Sequence, residues 1–202
     1  WFYNENSKFK VWWSSKIISK FSWDETLYIF KTRWGKRKNW QKYSSIYNQY
    51  VQFYHEEILK NENVAVARDY LKQRNLTKDE VKKFKIGYVQ KKPIFYEKLK
   101  NEFSEKILID SGLFYFDEKK RIYIERFRDR IIFPINNISG QPIGLGGRTI
   151  QNDNYLAKYI NSPETSFFKK GSNLYNLDFA RKLSNKIDHV YLVEGYMDVV
   201  GL

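Results

Sequence analysis

The sequence predicts an α+β fold with a strongly basic surface. Three observations carry that expectation. Apolar residues recur at spacings of three and four between residues 41 and 60. An apolar run at 131–135 is followed by a glycine-marked turn and a returning strand. Lys and Arg number 36 against 23 Asp and Glu, a formal net charge of +13. With 42% hydrophobic and 18% aromatic residues among 202, the chain can bury a core, and disorder of the whole is excluded.

Other classes fall away as quickly. The absence of Cys rules out a disulfide framework, an iron–sulfur cluster, a thiolate nucleophile and a Cys-based zinc site. His55 and His189 lie too far apart in sequence to suggest a histidine metal site. No run approaches the roughly 18 apolar residues of a membrane span, and no secretory-leader pattern opens the chain. The expectation is a soluble, cytoplasmic protein. Excess positive charge favours polyanionic partners, nucleic acid above all, although an AT-rich genome also enriches Lys, Asn, Ile, Tyr and Phe.

Trp1, Trp12, Trp13, Trp23, Trp34 and Trp40 all fall in the first forty residues, which end in the basic run Gly35-Lys36-Arg37-Lys38. Two readings stand for this stretch: an aromatic, basic arm that stacks on single-stranded bases, or a lead-in that does not belong to the fold. The change in texture places a boundary near Trp40.

From residue 41 the elements follow in order. Tyr43, Ile46, Tyr47, Tyr50, Val51, Tyr54 and Ile58 form one apolar helical face. A second helix is expected over Val64–Arg74, with Val66, Tyr70 and Leu71 inward. A third opens at Thr77-Lys78-Asp79-Glu80, where the Thr77 hydroxyl can accept a backbone N–H while Glu80 reaches back. Ile86–Val89 reads as a short strand, Pro93–Phe103 and Ser104–Ile109 as short helices. Leu113–Phe116 is an apolar run before a charged turn at Asp117–Arg121. Ile131–Ile135 and Pro142–Arg148 read as strands joined by a turn at Gly140, with Tyr159-Ile160 a third. Leu177–Leu183 is helical, His189–Val193 is a buried strand, and Tyr196 begins a helix.

Chemistry is concentrated between Arg126 and Asp198. In RFRDRIIFPI (126–135), Arg126, Arg128 and Arg130 share one face if the segment is extended, which suits a row of phosphates; a solvated edge with Asp129 as neutraliser is the alternative. In IGLGGR (143–148), three glycines clear space for a close approach just before Arg148, or merely weaken a strand. KYINSPET (158–165) and FFKKG (167–171) set Lys158, Asn161, Lys169 and Lys170 around loops, although Asn161–Glu164 could equally launch a short helix. VYLVEGYMD (190–198) ends a strand in Glu194, with Asp198 four residues on. A carboxylate there can hold Mg²⁺ or act as a base, or can simply favour a helix start.

Taken in order, RFRDRIIFPI, IGLGGR, KYINSPET, FFKKG, SNLYNL and VYLVEGYMDVV resemble the bacterial replicative DNA primases of the DnaG type, from about Tyr43 to Leu202. Arg68-Asp69-Tyr70-Leu71 through Phe84–Gly87 resembles the start of that family's polymerase domain. The resemblance implies an enzyme that copies single-stranded DNA into short RNA primers from ribonucleoside triphosphates, at the bacterial replication fork. The implied organisation is a basic, mixed helix and sheet subdomain at 41–185 leading into the first strand and helix of a TOPRIM α/β subdomain at 186–202, with 1–40 a lead-in. By matching position, Arg126, Arg128, Arg130, Arg148, Lys158, Asn161, Lys169 and Lys170 would line the template and nucleotide groove. Lys169 stands where many relatives have histidine. Glu194 would be the catalytic acidic residue at a Mg²⁺ or Mn²⁺ centre, as a ligand or a base, supported by Asp198.

Departures from the family pattern set further expectations. TOPRIM chemistry also uses a DxD pair, which this sequence does not reach, so the piece is expected to be inactive by itself. The family's zinc ribbon needs Cys and His ligands that residues 1–40 lack, and a frame-shifted remnant of that domain would explain their texture. A monomer without membrane contact is expected, with a replicative helicase as partner of the intact protein. Two other classes stay open: another TOPRIM enzyme, a topoisomerase or nuclease, and a non-catalytic module binding single-stranded DNA.

Overall fold

The computed structural model describes residues 10–12, 40–151, 155–183, 186 and 189–201. Strand β1 (Lys10–Trp12) is the part of the opening segment that falls among them before Trp40. The tryptophan cluster and the basic run at 35–38 otherwise lie outside the described residues.

Helix α1 (Trp40–Lys60) buries Tyr43, Ile46, Tyr47, Tyr50, Val51, Tyr54 and Ile58, as their spacing requires. A 3₁₀ turn at Glu62–Val64 leads into α2 (Ala65–Gln73). There the inward stripe is Val64, Ala67 and Leu71, not Val66. One residue on a helix is a rotation of about 100°, so Val66 turns to solvent and is 58% exposed. Asn75 stops α2 at φ 60°, in the left-handed conformation that asparagine tolerates. Helix α3 (Lys78–Lys83) carries the expected reciprocal cap: Glu80 N–H donates to Thr77 Oγ1 at 3.2 Å and Thr77 N–H to Glu80 Oε2 at 2.7 Å.

Strand β2 (Gly87–Val89), helices α4 (Phe95–Leu99) and α5 (Glu105–Asp110), and strand β3 (Phe114–Asp117) follow. β3 pairs with β4 (Ile122–Glu125), a strand that the sequence reading did not assign. Its last residue, Glu125, is a buried carboxylate, which breaks the usual apolar pattern. Glu125 accepts from the Tyr54 hydroxyl at 2.7 Å and from the Phe95 and Tyr96 amides at 2.7 and 3.1 Å, so it holds the open first turn of α4.

The central sheet is antiparallel, in the order β2, β5 (Arg130–Asn136), β6 (Pro142–Thr149), β7 (Tyr159–Asn161). Pro134 is tolerated inside β5 because β2 pairs only as far as Ile132, so no strand needs its missing N–H on that side. Asn137 organises the hairpin, its Oδ1 accepting from Ser139 and Gln141 amides while Gly140 takes φ 81°. Period two then splits the core. Ile131, Phe133 and Ile135 join Leu71, Val81, Ile86 and Tyr196 on one face. Ile132 and Leu145 join Tyr47, Tyr50, Tyr54 and Phe127 on the other.

Helix α6 (Leu177–Lys182), strand β8 (Tyr191–Val193) and helix α7 (Tyr196–Val200) complete the chain. β8 departs from expectation: it is half-buried and starts two residues later than predicted. It pairs in parallel with β1 and does not join the central sheet. Its sequence is apolar, but all three of its residues are only partly buried, and among the described residues it has one strand neighbour. No helix among the described residues is long and apolar enough to cross a membrane.

Candidate nucleic-acid interface

Arg148 lies on β6 directly opposite Ile131 on one side and Tyr159 on the other. Its Nε–H donates to the Tyr70 hydroxyl and an N–H of its Nη1 to the Tyr159 hydroxyl. The guanidinium also stands over both rings, 5.4 Å from the Tyr70 centroid and 5.0 Å from that of Tyr159. Arg148 is only 6% exposed. Burial works against its charge, and the two tyrosine hydroxyls outweigh that effect and raise its pKa. Among the described residues no carboxylate forms an ion pair with it. A nearly buried guanidinium with neutral partners only is an unbalanced charge, and its remaining N–H donors suit an anion.

Asn161 lies two residues along the same face from Tyr159, opposite Gly146. Its Oδ1 accepts from the Tyr196 hydroxyl at 2.5 Å. The glycines of IGLGGR have a clear physical reason: a Cβ at 144, 146 or 147 would run into the ring of Phe168, Tyr196 or Phe127 respectively. The close approach is therefore made by the protein's own aromatics, which is packing. At Gly146 that packing also has a consequence for the site. The Tyr196 ring stacks 5.4 Å from Phe133 and brings the first turn of α7 onto the face that carries Arg148 and Asn161.

Glu194 follows β8 and is exposed. Asp198 accepts from the Gly195 N–H at 3.1 Å, capping α7, and is close enough to Tyr159 to contribute to its raised pKa after burial itself. Arg148, Tyr159, Asn161, Tyr196 and Asp198 thus form one neighbourhood. No group of three His, Asp or Glu able to enclose a metal occurs among the described residues.

The three alternating arginines do not line one face. Residues 126–129 form a turn, not an extended segment, and Asp129 sits at φ 57°. Arg126 donates to the Gly112 carbonyl at 3.0 Å and lies over Tyr115. Arg128 is exposed. Arg130 opens β5 on the face opposite Arg148, paired with Thr149, and reaches the Lys158 carbonyl at 3.4 Å. Burial lowers its pKa, partly offset by Asp129. Asp129 serves mainly as an acceptor for Tyr88 at 2.6 Å and for Gln151. The turn at 126–129, with Asp129 in the left-handed region, breaks the alternation, and Phe127 within it is buried against Gly147.

Lys158, Lys169 and Lys170 are exposed. Lys169 pairs with Glu164 at 3.2 Å, and the same carboxylate accepts from the Lys170 amide at 3.2 Å. The Asn161–Glu164 stretch continues from β7 into a loop and launches no helix; Ser162 is buried and bonds Leu145 through both backbone and hydroxyl. Sequence reasoning missed Tyr70, Tyr159 and Tyr196 as members of the site, having read them as helix or strand residues. It also missed Arg74, whose guanidinium lies over the Tyr70 ring, 5.5 Å from its centroid. The available signal was Tyr159, two residues before Asn161 on one strand.

Fold and site together define a basic α+β module whose central sheet presents a nearly buried guanidinium. The sequence profile of the family described as DNA primase catalytic core, N-terminal domain, matches residues 53–181. The chain is 40% identical over 158 residues to the DNA primase of Lactococcus lactis, a match spanning 77% of this chain and 24% of that protein. It is similar to the solved DnaG primase catalytic domain bound to ssDNA, with TM-score 0.70 and 35% identity over 79% of this chain and 49% of that one. The Escherichia coli primase catalytic core gives TM-score 0.70 and 34% identity over 78% and 50%. The chain belongs to the DNA primase catalytic core family and contains its N-terminal domain. It spans about a quarter of the length of the curated relatives it matches.

Proposed function

We propose that this chain forms part of the RNA-polymerase core of a bacterial primase, holding single-stranded template and nucleotide phosphates for the synthesis of short RNA primers. The observation that carries the proposal is the buried, unbalanced guanidinium of Arg148, clamped by two tyrosines on the face that also presents Asn161 and the start of α7. Arg148 would neutralise phosphates largely without reading sequence, Arg130, Lys158 and Lys170 would add positive charge from separate positions, and Asn161 would orient a polar group beside Arg148. Arg126 and Arg128 would contribute as separate points of charge. The family likeness to a catalytic domain solved with ssDNA supports the same assignment.

Residues 186–202 read as the first strand and helix of a TOPRIM subdomain, with 41–185 as the basic subdomain before it. Glu194 and Asp198 are both exposed and offer hard carboxylate oxygens, and Mg²⁺ takes one or two such ligands together with water and substrate phosphates, so the donor set fits. Glu194 would hold the ion and Asp198 would support it. Such an ion supplies charge stabilisation at the attacking and leaving oxygens of nucleotidyl transfer. The replicative helicase and the replication fork remain the expected partner and place of the intact protein.

The test is incorporation of labelled ribonucleotides on a single-stranded template by a protein carrying this sequence within a complete catalytic core. Short RNA products, lost in Arg148→Ala, are the expected result. Synthesis unaffected by Arg148→Ala would overturn the role given to this face.

A further inference from the structure

We infer that Tyr70 is a positioning residue that aims the guanidinium of Arg148 at its anion. The inference rests on the reading of Arg148 as a phosphate contact and adds a residue, on a separate element, through which that contact is set.

Arg148 has two tyrosine partners, and they are not equivalent. Tyr159 is its direct cross-strand neighbour, so it belongs to the same sheet and moves with it. Tyr70 comes from α2, 78 residues away, and is the only one of the two that fixes Arg148 against a second element. The Tyr70 hydroxyl accepts from Nε–H, the donor nearest the aliphatic stem, while Tyr159 accepts from Nη1. Holding two nitrogens of one planar group fixes both its tilt and its rotation. The two rings, 5.4 and 5.0 Å from the guanidinium carbon, supply a face on which the charge rests without a carboxylate. One N–H of Nη1 and both of Nη2 are left over by these two bonds, and donors of this kind can meet an oxyanion.

A purely structural tyrosine would not require this arrangement. Tyr70 is half-buried, and it packs against the core cluster that contains Ile131 and Phe133 through its ring, which the hydroxyl does not alter. The hydroxyl oxygen itself accepts from the Nε–H of Arg148. Removing it leaves the apolar packing in place and frees the guanidinium to turn about Nη1.

The experiment measures binding of a labelled single-stranded oligonucleotide at several salt concentrations, alongside thermal melts. The proteins are the 202-residue chain and its Tyr70→Phe, Arg148→Ala and doubly substituted variants. Tyr70→Phe is expected to weaken binding roughly three- to tenfold, the effect of one lost hydrogen bond, with an unchanged melting temperature. Arg148→Ala should weaken it further and flatten the log–log salt slope by about 0.7. The double variant should bind no more weakly than Arg148→Ala. Wild-type binding by Tyr70→Phe beside a weakened Arg148→Ala overturns the role of Tyr70 alone, as do additive losses in the double variant. A Tyr70→Phe protein whose affinity falls only in step with its melting temperature marks the residue as scaffold and also overturns it. Wild-type binding by Arg148→Ala overturns both this inference and the phosphate reading of Arg148.

Discussion

The Tyr196 hydroxyl donates to Asn161 Oδ1 across 2.5 Å, and the ring reaches that position because residue 146 of the intervening strand is glycine. This contact ties the Glu194–Asp198 segment to the sheet face that bears Arg148. Packing and site are linked here through the absence of one methyl group.

Gly146→Ala should therefore disturb both. The added Cβ overlaps the Tyr196 ring, so the ring or the strand must shift. Overpacking of this kind costs about 1–3 kcal/mol. For a domain of this size that lowers the melting temperature by roughly 2–12 °C. Calorimetry checks the stability, and weaker oligonucleotide binding should accompany the loss. A variant as stable as wild type would mean that α7 does not rest on β6.

Glu194→Gln tests the carboxylate assignment in a complete catalytic core. The substitution keeps size and removes the charge that a divalent cation requires. Primer synthesis should fall roughly a thousandfold or more, while template affinity changes little. A near wild-type rate would remove Glu194 from the metal site.

Glu125 should give the fold a pH dependence. Burial raises its pKa, more than the hydrogen bonds from Tyr54 and the Tyr96 and Phe95 amides lower it. In the range between the unfolded and folded pKa values the native state holds a proton that the unfolded chain has released. Stability from this group thus falls as pH rises through that range, and the loss is complete above the folded value. Glu125→Gln cannot titrate, so urea unfolding from pH 4 to 7 should show a flatter profile than wild type. Parallel profiles would place the carboxylate outside the pH response.

Thr77→Ala removes the hydroxyl that caps α3 and breaks the reciprocal bond with Glu80. A loss of about 1 kcal/mol is expected, with oligonucleotide binding unchanged, since α3 carries none of the site residues. Urea denaturation and the binding titration check the two halves separately.

The sequence by itself determined what depends on near neighbours. The α1 stripe from Tyr43 to Ile58, the Thr77–Glu80 cap and the turn over Asn136–Gln141 with Gly140 rest on bonds or periodicities spanning a few residues, and these are legible without any tertiary contact. The ordered motifs from Arg126 to Asp198 also carried the family, because their spacing is a property of the chain. Only the tertiary structure decided which side chains meet. The alternation of Arg126, Arg128 and Arg130 predicts one shared face, but the backbone turns at 126–129, with Asp129 at φ 57°, and separates them. Arg148 finds Tyr70 at a separation of 78 residues, and Asn161 finds Tyr196 at 35. Partners at such distances are chosen by strand register and helix docking, which follow from the packing of the whole core and leave no mark in local pattern.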